Sequence, residues 1–131
     1  MPFKITAIYA GLNGVILLVL AIRVARQRGI SKVGLGTAGD AALERAIRIH
    51  GNAVESIPIV LILLGLAEAC GSRPILLHGM GMALTLGRLL HAWGLTQSSG
   101  LSFGRAAGMS LTWLALAVGA VRALLFGLSP S

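Results

Sequence analysis

Residues 44–68 read ERAIRIHGNAVESIPIVLILLGLAE. The second half of this stretch, 57–67, is apolar throughout, with Pro58 near its start. The first half is polar, with a helical rhythm. Arg48, Asn52 and Glu55 follow one another at i, i+4 and i+7, and Glu44 precedes Arg48 by four. That spacing puts all four on one helix face. A helix extended over 40–70 would be about 46 Å long at about 1.5 Å per residue. A bilayer core of about 30 Å needs roughly 20 apolar residues. The stretch therefore predicts a membrane helix whose first three to four turns reach the interface. Pro58 predicts a kink near 54–57, because it lacks the N–H that would bond back one turn.

Three further segments meet the length test, at about 4–26, 74–95 and 105–128. The fold class is thus an all-α integral membrane protein, a four-transmembrane-helix up-down bundle, with 1–131 as one membrane domain. Composition agrees. The 131 residues are 56% hydrophobic and 11% charged, against roughly a quarter charged in a soluble domain. The first apolar run is followed by Arg23, Arg26 and Arg28 rather than by a small-residue cleavage site, so it reads as a retained helix and not a signal peptide. Residues 27–39 and 97–104 read as polar loops. Asp40 or Thr37 suits the cap of the second helix, Gly71 its end and Pro74 the first turn of the third. Gly104 and Gly108, with Ala115, Gly119 and Ala123, form a small-residue stripe that fits either packing within one bundle or a subunit interface.

The net charge of +7 comes from 11 basic and 4 acidic residues. The basic residues fall mainly between apolar runs, which points to lipid headgroups rather than nucleic acid. They concentrate around the first loop and the 97–104 loop. The positive-inside rule then places both loops in the cytoplasm and both termini outside. Cys70 is the single cysteine, so no intramolecular disulfide is expected; no metal-ligand cluster is expected either. Glu68 and Arg73 are expected to face headgroups, and His78 to lie near the interface.

Ionisable groups inside a membrane cost about 2.5–3.5 kcal/mol each on insertion scales, so they must face the bundle interior, a partner or a ligand. Besides the 44–55 stripe, Arg88 and His91 lie three apart on the third helix, Arg105 begins the fourth, and Arg23 and Arg26 end the first. All lie toward the same membrane surface. Two readings follow. Glu55 neutralises Arg48 or Arg88 in a self-satisfied network, or the groups hold an anionic ligand. An arginine-rich site with few acids suits carboxylates, which guanidinium groups bind in a two-pronged geometry. Asn52 and Glu55 add partners for an amide and an ammonium, which together describe a small acidic peptide.

The run 44–68 resembles the second-helix signature of the MAPEG family, the membrane-associated proteins in eicosanoid and glutathione metabolism. The pattern is E-R-x-x-R-x-H-x-N-x-x-E followed by an apolar run with proline. GRLLHAWG at 87–94 looks like the family's third helix, and the likeness extends over nearly the whole chain, closest to the small bacterial members. The resemblance implies a homotrimer in a bacterial inner membrane, with glutathione as cosubstrate bound between subunits near the cytoplasmic face. It implies glutathione contacts from Arg26, or less so Arg23, and from Arg48, Asn52, Glu55, Arg88 and His91. Glu44 and Arg45 would support the site, and Arg105 would be the catalytic arginine that stabilises the thiolate. The implied activity is transfer of glutathione to lipophilic electrophiles, with reduction of lipid hydroperoxides as a relative. A non-catalytic protein binding glutathione or another anion is the alternative; a small transporter is a third. Leu95 stands where several family enzymes have a tyrosine, and His91 where some have another.

Overall fold

Four helices make up the chain in a computed structural model that describes residues 3–97, 100 and 102–129. They are α1 (Lys4–Ser31), α2 (Ala41–Ala69), α3 (Pro74–Gln97) and α4 (Phe103–Gly127). Each is long and apolar enough to cross a membrane. The loop expected over 97–104 lies partly outside the described residues.

Local chemistry sets the ends. α1 continues to Ser31 rather than stopping at Arg26. Gln27 and Arg28 are good helix formers. The extra turn is also held from outside, because the Gln27 amide (3.3 Å) and the Ser31 hydroxyl both donate to the Asp40 carboxylate. Lys32, in the left-handed region at φ 54°, closes the helix with its N–H on the Arg28 carbonyl. Arg28 in turn donates to the carbonyls of Val33 (3.3 Å) and Gly36 (3.0 Å), so it fastens the loop. Asp40 accepts from the Ala42 and Leu43 amides and is the N-cap of α2. These hydrogen bonds, Ser31 first, hold its carboxyl down from an ordinary value near 3.8 to about 2. α2 runs unbroken through Pro58 and ends in a Schellman turn. Gly71 sits at φ 70°, with Ser72 N–H bonded to Ala67 O and Gly71 N–H to Glu68 O.

Glu68 does not face headgroups. Its carboxylate accepts from the backbone N–H of Ile5 (2.9 Å) and Thr6 (2.7 Å) and from the Thr6 hydroxyl (2.6 Å). The physical reason is the start of α1. Its cap residue Phe3 has no side chain able to accept, so the free amides turn to a carboxylate on the neighbouring helix.

α2 and α3 form the middle of the bundle. α1 packs on both, α4 packs on both, and α1 and α4 lie on opposite sides. Ile49, Ala53, Ile57, Val60 and Leu64 supply the buried seam of α2. In lipid, apolar burial gives little drive for helices to associate, so close packing and polar contacts must do it. α3 and α4 approach to backbone contact. A Cβ added at Gly108 would fall 2.5 Å from the Gly87 carbonyl oxygen and the His91 nitrogen. One added at Gly94 would fall 2.4 Å from the Arg105 nitrogen. The Gly104 and Gly108 part of the stripe is therefore spent within the chain, and Gly119 packs on Leu63 and Met80. α1 is held to α3 by polar contacts. Tyr9 and His78 hydrogen-bond at 3.0 Å, and Asn13 donates to Thr85 at 2.9 Å. Asn13 is wholly buried.

Candidate functional site

Arg88 organises the loop end of the bundle. It is 2% exposed. Its Nε donates to Thr112 Oγ1 at 3.0 Å, one Nη to the same oxygen at 2.6 Å, and the other Nη to Asn52 Oδ1. Weaker contacts reach Gly108 O and Met109 Sδ. Thr112 can accept twice because its own hydroxyl hydrogen goes to Gly108 O at 2.9 Å. One guanidinium thus joins α2, α3 and α4 through neutral acceptors. The pairing of Glu55 with Arg48 or Arg88, one of the two readings, does not form; among the described residues neither Glu44 nor Glu55 has an ion-pair partner.

In front of Arg88 opens a cleft made of two adjoining cavities. The inner one, about 160 Å³, is lined by Arg48, Asn52, Glu55, His91, Leu95 and Arg105. The outer one, about 430 Å³, is lined by Ala41, Glu44, Arg45, Arg48, Leu95 and Arg105. Arg48, Leu95 and Arg105 border both. Three arginines and two carboxylates therefore face one space, with a further guanidinium behind it. His91 is 5% exposed, and among the described residues its ring nitrogens have no hydrogen-bond partner. They remain able to bond a group in the inner cavity.

Each element places its share for a local reason. The α2 stripe follows from helical spacing, with Leu43, Ala46, Ile49 and Ala53 buried on the opposite face. Ser102 caps α4 by accepting from the Arg105 N–H at 3.3 Å. Gly94 lets that first turn of α4 lie against α3, which brings Arg105 beside His91 and Leu95. The Arg105 side chain also donates to Gly100 O at 3.4 Å.

Of the residues singled out from sequence, Glu44, Arg45, Arg48, Asn52, Glu55, His91 and Arg105 come together in the cleft. Arg88 lies behind it, and its donors are engaged within the chain. Arg26 is exposed on α1 and lines neither cavity, and Arg23 donates to Thr96 on α3 at 3.3 Å. Sequence reasoning missed Thr112, which holds Arg88; Leu95, noted from sequence for the tyrosine it replaces, borders both cavities. Thr112 follows Arg105 by seven, so the face of α4 that carries the arginine carried the signal.

A four-helix membrane protein with a mixed-charge cleft at one surface is the class that this architecture defines. The sequence profile of the MAPEG family matches residues 6–125, and the chain belongs to that family. It is 40% identical over 112 residues to Inner membrane protein YecN of Escherichia coli (strain K12), covering 86% of this chain and 84% of YecN. It is 33% identical over 125 residues to Uncharacterized protein sll1147 of Synechocystis sp., covering 93% and 89%.

Proposed function

We propose that the protein is a glutathione-dependent transferase of the bacterial inner membrane, which joins the glutathione thiolate to lipophilic electrophiles and reduces lipid hydroperoxides by the same activated thiol. The observation that supports this reading is the gathering of guanidinium and carboxylate groups around one cleft. Glutathione carries two carboxylates, one ammonium, two amides and a thiol. Arg45 and Arg48 suit the carboxylates, Glu44 or Glu55 the ammonium, and the Asn52 Nδ2 group an amide carbonyl, since Asn52 Oδ1 is taken by Arg88.

Arg105 is the thiolate-stabilising residue in this reading. A free thiol has a pKa of about 8.5 and is mostly protonated at neutral pH. A guanidinium beside it favours the charged form, and each pKa unit is worth about 1.36 kcal/mol. The thiolate attacks the electrophilic carbon, and the leaving group departs or the new carbanion takes a proton from water. In the peroxide reaction the thiolate sulfur takes the terminal oxygen and the lipid alcohol leaves; a second glutathione then releases water and the disulfide. Lipid delivers the apolar substrate from the side. In a homotrimer, Arg26 of a neighbouring copy would supply the contact that α1 does not make within its own chain. The loop end, with the cleft, faces the cytoplasm, and both termini face outward, as the arginine distribution favours.

The test is rapid mixing of purified protein with glutathione, followed by ultraviolet thiolate absorbance. A saturable thiolate signal in the wild type that disappears in Arg105→Ala is expected. Equal signals in the two proteins would remove Arg105 from the mechanism. Leu95 favours a second reading. It borders both cavities where several family enzymes carry a tyrosine, and without that hydroxyl the cleft suits a non-catalytic binder of glutathione or another anion. Binding without turnover across a panel of electrophiles and hydroperoxides would select it.

A further inference from the structure

The end of the bundle opposite the cleft carries a second, chemically different site. Between α3 and α4 an apolar cavity of about 430 Å³ is lined by Leu76, Gly79, Met80, Leu114 and Val118 among others. A second apolar cavity, about 280 Å³, shares Leu76 and Val118 with it and ends at Arg122. The two form one groove that runs along the helices and is closed by a guanidinium.

Arg122 is poorly provided for within the chain. Among the described residues its hydrogen-bond partner is the Ser72 hydroxyl, at 3.0 Å, and its Nε–H is covered and has none. Among the described residues no carboxylate side chain at this end is left to neutralise it. The cations here are Lys4, Arg73 and Arg122, and the acid is Glu68, whose oxygens are taken by the first turn of α1. Asp40, Glu44 and Glu55 belong to the other half of the bundle. A charge in this position calls for an external anion. The groove beneath it calls for a hydrocarbon chain.

We infer that the α3–α4 groove is a specific site for an anionic phospholipid of the leaflet opposite the cleft, its phosphate on Arg122 and one acyl chain lying past Val118 and Leu76 over Gly79. Arginine is the side chain best matched to phosphate, through parallel N–H donors. Arg73, next in the chain to Ser72, adds a second positive charge at the turn. Gly79 keeps the groove deep. A Cβ added there meets nothing within 4 Å, so the space above it is open. The site is independent of glutathione and of the activity proposed above.

The experiment is native mass spectrometry of the delipidated full chain in detergent, titrated with phosphatidylglycerol or phosphatidylcholine. The wild type is expected to prefer phosphatidylglycerol about tenfold, equivalent to about 1.4 kcal/mol. Arg122→Gln should bring that ratio close to one by weakening phosphatidylglycerol much more than phosphatidylcholine, whose own ammonium already offsets its phosphate. Gly79→Leu adds a side chain in the groove, where a Cβ meets nothing within 4 Å, and should weaken both lipids about equally. Inorganic phosphate should not compete, because it lacks the chain. Equal affinity of the wild type for the two lipids, a preference that survives Arg122→Gln, or displacement by inorganic phosphate would each overturn the assignment. So would a Gly79→Leu protein that keeps its lipid occupancy but loses oligomeric mass, since a second copy would then be the occupant.

Discussion

Replacing Asn52 by leucine removes the side-chain carbonyl through which α2 holds Arg88. The guanidinium is 2% exposed, so water cannot replace the lost acceptor without a rearrangement. Hydrogen bonds to charged groups contribute about 1.5–3 kcal/mol. Cycles on membrane-helix hydrogen bonds give less, about 0.6 and at most about 1.7 kcal/mol. Thr112 still holds Nε and one Nη, so one nitrogen is orphaned rather than three. We expect a loss of about 1.5 kcal/mol, a little over tenfold in the unfolding equilibrium. Arg88→Met removes the charge and leaves the hydroxyl of Thr112 bonded to Gly108. Exchange of a buried polar pair for apolar residues is often close to neutral, so the double variant should recover most of the Asn52→Leu loss. Reversible unfolding of the four proteins in mixed micelles, followed by helical circular dichroism, measures the coupling. Additive effects, with a coupling below about 0.3 kcal/mol, would refute the view that Asn52 is first a partner of Arg88.

Gly108→Ala should destabilise the bundle by about 1–3 kcal/mol, because the backbone oxygen of Gly87 lies where the new methyl must go; the same unfolding assay checks it. Glu68→Gln should free the start of α1, seen as faster hydrogen exchange at the Ile5 and Thr6 amides with little change at α4. Asp40 has a folded pKa below its unfolded one, so its contribution is complete above about pH 4 and fades as pH falls toward about 2. A stability profile over that range should be flatter in Asp40→Asn, and a wild-type profile of unchanged slope would contradict the assignment.

The four helices were legible because membrane spans need little more than length and the absence of charge. The α2 stripe was legible because its polar residues repeat at helical spacing, and seven of the residues it and its neighbours suggested meet in one cleft. What stayed hidden was pairing between helices. Nothing in the sequence tells Glu68 that α1 lacks a capping side chain, or tells Arg88 that its acceptors are a threonine and an asparagine rather than a carboxylate. Asn13 is one polar residue in an apolar run, and its partner Thr85 lies 72 positions away. The end of α1 was misjudged for the same reason. Gln27 and Ser31 resemble loop residues until Asp40 is placed beside them.

Asp40 and Glu68 stand at opposite ends of α2, and each grips the helix alongside. They act as two stops on a rail. A slide of α1 by one turn, about 5.4 Å, would break both grips at once. Between the stops, Ile8, Leu12, Val15, Leu18 and Ile22 point away from the bundle and measure no distance along it. Registration is therefore set at the two ends, with Tyr9 and Asn13 as an intermediate notch. The greasy outer face of α1 is free to drift among Leu, Ile, Val and Phe, while Thr6, Gln27 and Ser31 are not.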